Sequence, residues 1–138
     1  MVRWLNSLQP WGVVLLRLVV GFSLLYHGWS KVTPFSMHNP LAPEQAFCRH
    51  IAAMGLPFWM GYISVFSEVV GGAALLVGLF VRFFALLAAG NMVFAMVLVT
   101  RHRGYEGSEL PLMLFAMSVM LLLTGPGRLA IDRRLGLI

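Results

Sequence analysis

Glu68 lies inside WMGYISVFSEVVGGAALLVGLF, residues 59–80, an apolar run long enough to cross a bilayer. About nine residues into that run, at a rise of 1.5 Å per residue, its carboxylate is ~13 Å below the membrane surface. A carboxylate at that depth must be paired or protonated, and such a group is by default a candidate for function. A second group of ionisable residues occurs in RLVVGFSLLYHGWSK, which opens with Arg17 and closes with His27 and Lys31. Glu68 and His27 are the candidate catalytic groups, as proton donors or acceptors. Arg17, Glu68, His27 and Lys31 together are the candidate binding pocket and ion pair. Arg17 is the expected partner of Glu68, because a guanidinium cannot shed its charge and needs an anion when buried. His27 is the other group within reach.

The remaining chemistry-bearing residues cluster in the connections. His38, Cys48, His50 and His102 are types that bind metals, but their spacing has no H-x-x-H or similar ligand pattern. They are weak candidates, and no dedicated metal site is expected. A single cysteine excludes an intrachain disulfide and dithiol chemistry within the chain. Met92, Met96, Met113, Met117 and Met120 are read as packing residues, since flexible thioethers fill gaps between helices. Asn91, in the middle of an apolar run, is expected to hydrogen-bond between helices. The chain has no glycine-rich phosphate loop, no nucleophile elbow and no paired haem-ligand pattern.

Helices must position these groups. Of the 138 residues, 59% are hydrophobic and 11% charged, with a mean hydropathy of +0.84, against about 25% charged in a soluble domain. A bilayer is the implied solvent, and the net charge of +5 is read as loop bias and headgroup contact, with no nucleic-acid partner. Four apolar runs, at approximately 11–29, 59–80, 82–100 and 110–124, predict four spans in one domain, 1–138. Runs two and three are separated only at Val81-Arg82, which predicts a tight helical hairpin. Trp4, Trp11, Trp29 and Trp59 all fall at run ends, where amphipathic indoles meet the headgroups. In the connection 30–58, Pro43 near the start and Gly55 after the end mark a short amphipathic helix at approximately 43–54. The expected fold is therefore an all-α membrane protein, a four-transmembrane-helix bundle with an amphipathic helix in its first, outer loop.

At 100° per residue, Arg17, Gly21, Leu24, Gly28 and Lys31 fall within an arc of about 80°. Gly61, Ser64, Glu68, Gly72 and Leu75 share a similar face of run two, with Gly71 beside it. Gly21, Gly28, Gly71 and Gly72 are expected to let helices approach closely, keeping the charges out of lipid. Five Lys or Arg residues at or beyond the span ends (Arg3, Arg82, Arg128, Arg133, Arg134) fall on the side of the termini, against four (Lys31, Arg49, Arg101, Arg103) on the other. The positive-inside rule then predicts both termini cytoplasmic, in a bacterial inner membrane.

RLVVGFSLLYHGWSK, SEVVGGAALLVGLFVRFFA and GPGRLAIDR, in that order and spacing, resemble the DoxX-like integral membrane proteins. The resemblance covers nearly the whole chain and implies four helices with cytoplasmic termini. It carries Arg17, Gly21, His27, Gly28, Lys31, Glu68, Gly71, Gly72 and Arg82 onto motif positions. The family takes its name from a membrane subunit associated with thiosulfate:quinone oxidoreductase. The family name does not fix a reaction; Glu68, Arg17 and the His27/Lys31 end are read as the polar pocket of a redox-associated subunit that handles quinone or protons in the lipid, with electrons supplied by a partner protein. Two other readings accommodate the same residues: a non-enzymatic scaffold or anchor for a partner complex, and a small transporter with Glu68 as its coupling carboxylate.

Overall fold

The computed structural model describes residues 3–33, 42–100 and 104–136. Six helices follow in order: α1 (Arg3–Val32), α2 (Ala42–Ala53), α3 (Trp59–Val77), α4 (Val81–Phe94), α5 (Gly104–Thr124) and α6 (Ile131–Arg134). A π-helical turn, Ala95–Val99, extends α4, so that Thr100 N–H reaches back to the Ala95 carbonyl at 2.9 Å. Four of these helices are long and apolar enough to cross a membrane: 6–32, 59–77, 81–98 and 104–124. The expected four-helix membrane fold, with its short extra helix after the first span, is the observed one.

The fourth span is longer than its apolar run, because helix starts at Gly104 and takes in Glu106 in its first turn and Glu109 in its second. The hairpin turn lies three residues before the Val81-Arg82 break. Gly78 adopts the left-handed conformation at φ 76, with Leu79 N–H bonded to the Ala74 carbonyl at 2.9 Å and Gly78 N–H to that of Leu75 at 3.2 Å. This paired closure is the usual glycine stop of a helix. Val81 and Arg82 already belong to the first turn of α4.

The helices contact in the order α1, α3, α4, α5, with α1 also touching α5 and α2 resting on α3 and α1. The core runs down the middle of this ring, from Val20, Leu24 and Leu75 through Phe84 and Ala88 to Leu114 and Leu121. The large apolar side chains left outside, among them Phe22, Phe66, Phe83 and Leu123, face where lipid would be. The four tryptophans are exposed, with Trp4 and Trp11 in the first three turns of α1, Trp29 near its end and Trp59 at the start of α3.

Glycine sets the closeness of α1 and α3. A Cβ on Gly72 would stand 2.7 Å from Leu25 N and 2.8 Å from the Gly21 carbonyl; one on Gly28 would stand 2.8 Å from the Glu68 Cβ. Backbone lies against backbone at this crossing, as small residues permit in lipid. Gly71 instead receives the Phe84 ring of α4.

Both described ends of the chain lie at one end of the bundle, called here the terminal end. There the backbone around Gly127 packs on Pro10, Val13 and Val14, and Asp132 N–H bonds to the Gly78 carbonyl at 3.1 Å. Lys31, α2 and the Thr100–Ser108 hydroxyl contact (2.8 Å) occupy the opposite, loop end.

Candidate functional site

Glu68 is 4% exposed on α3. Because Gly28 has no side chain, α1 comes close enough for Lys31, one turn further on, to reach back to the carboxylate. Lys31 Nζ lies 2.7 Å from Oε1 and 2.7 Å from Oε2. Asn91 Nδ2 on α4 donates to Oε1 at 2.8 Å. Oε1 thus collects two directed donors, while Oε2 is held by charge without a well-angled hydrogen bond and is buried. The ammonium also lies 4.4 Å from the centre of the Phe47 ring of α2, a cation–π distance. One positive charge therefore links α1, α2 and α3.

Asn91 has a second neighbour. It lines a cavity of about 380 Å³ between α3 and α4, with Ser64 and Ser67 on one wall and Gly90 on the other. The rest of the lining, including Ile63, Leu86, Leu87 and Phe94, is apolar. Trp59, Ile63 and Leu86 are exposed at its mouth, so the groove opens sideways on the lipid-facing surface. A Cβ on Gly90 would meet nothing within 4 Å, which leaves the space above Asn91 clear.

Arg17 does not pair with Glu68, and the expected ion pair is replaced by two separate sites. Gly28 is the residue level with Glu68, so Arg17, eleven residues earlier on α1, sits ~16 Å nearer the terminal end. Its side chain is 2% exposed. Nη1 donates to the Pro126 carbonyl and Nη2 to the Leu129 carbonyl, each at 2.7 Å, while Nε has no partner. A Cβ on Gly78 would stand 2.6 Å from Nη1, so the hairpin turn also needs glycine to make room for this side chain. Asp132, three residues beyond Leu129, is the carboxylate that the sequence places at this end. Asp132 receives the backbone N–H groups of Phe80 (2.6 Å to Oδ1) and Val81 (2.8 Å to Oδ2). It caps the start of α4 from 51 residues away, where a helix N-terminus favours negative charge. Phe80 is the one described non-glycine residue with a left-handed backbone, at φ 48, and this clasp holds it there.

His27 is half-buried and packs edge-on against Tyr26, with ring centroids 5.7 Å apart; the bonds of Glu68 go instead to Lys31 and Asn91. Cys48 is buried where α2 meets Gly61 of α3, and His50 is exposed. His38 and His102 lie outside the described residues. Among the described residues, no three metal-binding side chains come together. Asp132 is the residue that spacing alone does not reveal, because its partners are backbone amides of a distant turn. Its only sequence signal is its place in the GPGRLAIDR segment.

The profile of the DoxX family matches residues 12–101, a stretch that contains Arg17, Lys31, Glu68 and Asn91. The chain is 29% identical over 122 residues to the protein named "Putative oxidoreductase CatD" of Bacillus subtilis (strain 168), covering 88% of this chain and 84% of that one. It is 27% identical over 137 residues to "Inner membrane protein YqjF" of Escherichia coli (strain K12), covering 95% of this chain and 97% of the relative. No solved structure matches it. With the motif residues now placed on three of the four membrane-length helices and the profile extending over those three, this chain belongs to the DoxX family.

Proposed function

We propose that the chain is a membrane subunit of a redox system in the bacterial inner membrane, handling quinone or protons at Glu68 together with a partner protein. The observation that carries this reading is the carboxylate itself: buried, 2.7 Å from the Lys31 ammonium, and joined through Asn91 to a groove open to lipid. The groove lies within the ~300–1,000 Å³ of ordinary small-molecule sites and has their character, mostly apolar with a few converging polar groups. A lipid-soluble quinone would enter sideways, its ring and tail against Ile63, Leu87 and Phe94. Its carbonyls would then be in reach of the Asn91 amide and the serine hydroxyls. Reduction of a quinone to the quinol takes two electrons and two protons. The electrons come from the partner, since the chain carries no redox-cofactor motif. The Glu68 Oε2 atom, free of directed donors, would be the group that passes protons.

The name of the Bacillus relative supports a redox setting, and that of the Escherichia relative supports the membrane. The experiment is to purify the protein into lipid nanodiscs, extract the lipids and measure quinone by chromatography. Quinone is expected with the wild type and much less with Asn91→Leu or Glu68→Gln. A folded wild type without quinone, co-purifying with a soluble protein, would instead establish the scaffold. The bonds of Arg17 to the Pro126 and Leu129 carbonyls and of Asp132 to the α4 start favour that second reading, because they commit buried charges to holding the bundle together.

A further inference from the structure

We infer that the terminal end carries a binding site for an anionic phospholipid headgroup, formed by Arg128, Arg133 and Arg134. The inference is independent of the quinone reading, since the site is at the opposite end of the bundle from Lys31.

The first observation is uncompensated charge. Arg82, Arg128, Arg133 and Arg134 are all exposed at this end. Asp132 is the one Asp or Glu that the sequence places here, and both its oxygens are engaged by the Phe80 and Val81 amides. The internal anion thus caps α4 and leaves the surface arginines without a carboxylate. The second observation is shape. Arg128, Arg133 and Arg134 border a cavity of about 310 Å³ whose other walls include Val77, Leu129 and Ile131, all exposed apolar side chains. Arg133 also borders a neighbouring cavity of about 330 Å³ beside Pro126 and Gly127. The third is pre-positioning. The Arg128 guanidinium lies 5.7 Å from the centre of the Trp11 ring, which holds it at the level where interfacial tryptophans sit.

A guanidinium fork matches the geometry of a phosphate's oxygens, and hydrogen bonds to an ionised phosphate are stronger than neutral ones. The apolar walls decide between sources of phosphate. Val77, Leu129 and Ile131 offer nothing to a free ion, but they fit the glycerol and upper acyl carbons of a lipid whose headgroup lies among the arginines. A phosphodiester lipid with net negative charge satisfies both halves of the site; a zwitterionic lipid carries its own cation into a cluster of cations.

The test is native mass spectrometry of the full chain in a neutral detergent, titrated with phosphatidylglycerol, phosphatidylcholine or inorganic phosphate. Retained phosphatidylglycerol adducts are expected, with neither of the other two held comparably. Arg128→Gln, Arg133→Gln and Arg134→Gln together should weaken phosphatidylglycerol binding on the order of a hundredfold, about fivefold per cation. Arg49→Gln, at the loop end, should leave it unchanged. Equal retention of phosphatidylcholine, or unaltered binding in the triple variant, overturns the proposal. Free phosphate binding as tightly as the lipid overturns the lipid as occupant. Should the triple variant not fold, the wild type is titrated at 1 M salt, where screening to ~3 Å is expected to release phosphatidylglycerol; salt-insensitive binding overturns the proposal.

Discussion

Lys31 serves two neighbours at once, the Glu68 carboxylate and the Phe47 ring, and its side chain is 23% exposed against 5% for Glu68. The two members of the pair are therefore unequal. If Glu68 is lost, the ammonium can swing toward water at the loop end; if Lys31 is lost, a carboxylate remains buried with one amide. Removing one member of a fully buried pair costs about 3–5 kcal/mol. We expect Lys31→Leu to approach the lower figure and Glu68→Leu to cost less, with the double change recovering much of the loss. A double-mutant cycle on unfolding in detergent measures this. The same cycle on Arg17→Leu and Glu68→Leu should be additive within about 0.5 kcal/mol, as for sites without shared partners. A larger coupling would mean that Arg17 and Glu68 act as one unit after all. The types of these residues and the faces they occupy were legible from spacing. Their pairing was not, because it depends on how far α1 slides along α3. That offset is set by Gly28 against Glu68 and Gly21 against Gly72, contacts that periodicity does not encode.

Between elements, the same logic separates glycines that look alike in sequence. Gly72 faces the α1 backbone at both Gly21 and Leu25, which cannot yield as a flexible side chain can, so Gly72→Leu should prevent the α1–α3 crossing and abolish the folded bundle. Gly90 faces open space, and Gly90→Ala should be neutral or stabilise by up to ~1 kcal/mol through helix propensity, while narrowing the groove above Asn91. Thermal unfolding of the two purified variants distinguishes them; comparable damage from both would refute the packing account. Asp132→Ala should cost about 3 kcal/mol, since it strips two charge-assisted bonds from the α4 start and leaves Phe80 strained. Asp132→Asn keeps one acceptor and should cost roughly half as much by the same reasoning. The hairpin itself could be read from the sequence, but its turn was placed at Val81-Arg82, where charge interrupts the hydropathy. Backbone chemistry puts it earlier, at Gly78, where a left-handed residue can close α3.

For the molecule as a whole, composition and hydropathy were enough to establish four membrane helices, because burial in lipid demands long apolar runs with every backbone bond satisfied internally. Orientation rests on the arginines. Those at the terminal end have no free carboxylate among them, and we expect both termini to be cytoplasmic; reporter fusions after Ile138 that read out as periplasmic would invert the topology. What hydropathy could not show is how tightly the polar segment after α5 is built into the fold. Arg17 bonds to carbonyls 109 and 112 residues further along the chain, and the α4 start waits for Asp132 in the same segment. A ribosome making this protein delivers the first helix to the membrane long before the residues that accept its guanidinium. Until they emerge, Arg17 must be sheltered by water, headgroups or the insertion machinery, and the hairpin between α3 and α4 has an open cap. Completion of the bundle is therefore a late, post-insertion step. A nascent chain stalled before residue 125 should be inserted yet remain sensitive to protease, acquiring resistance only once the clasp has been translated.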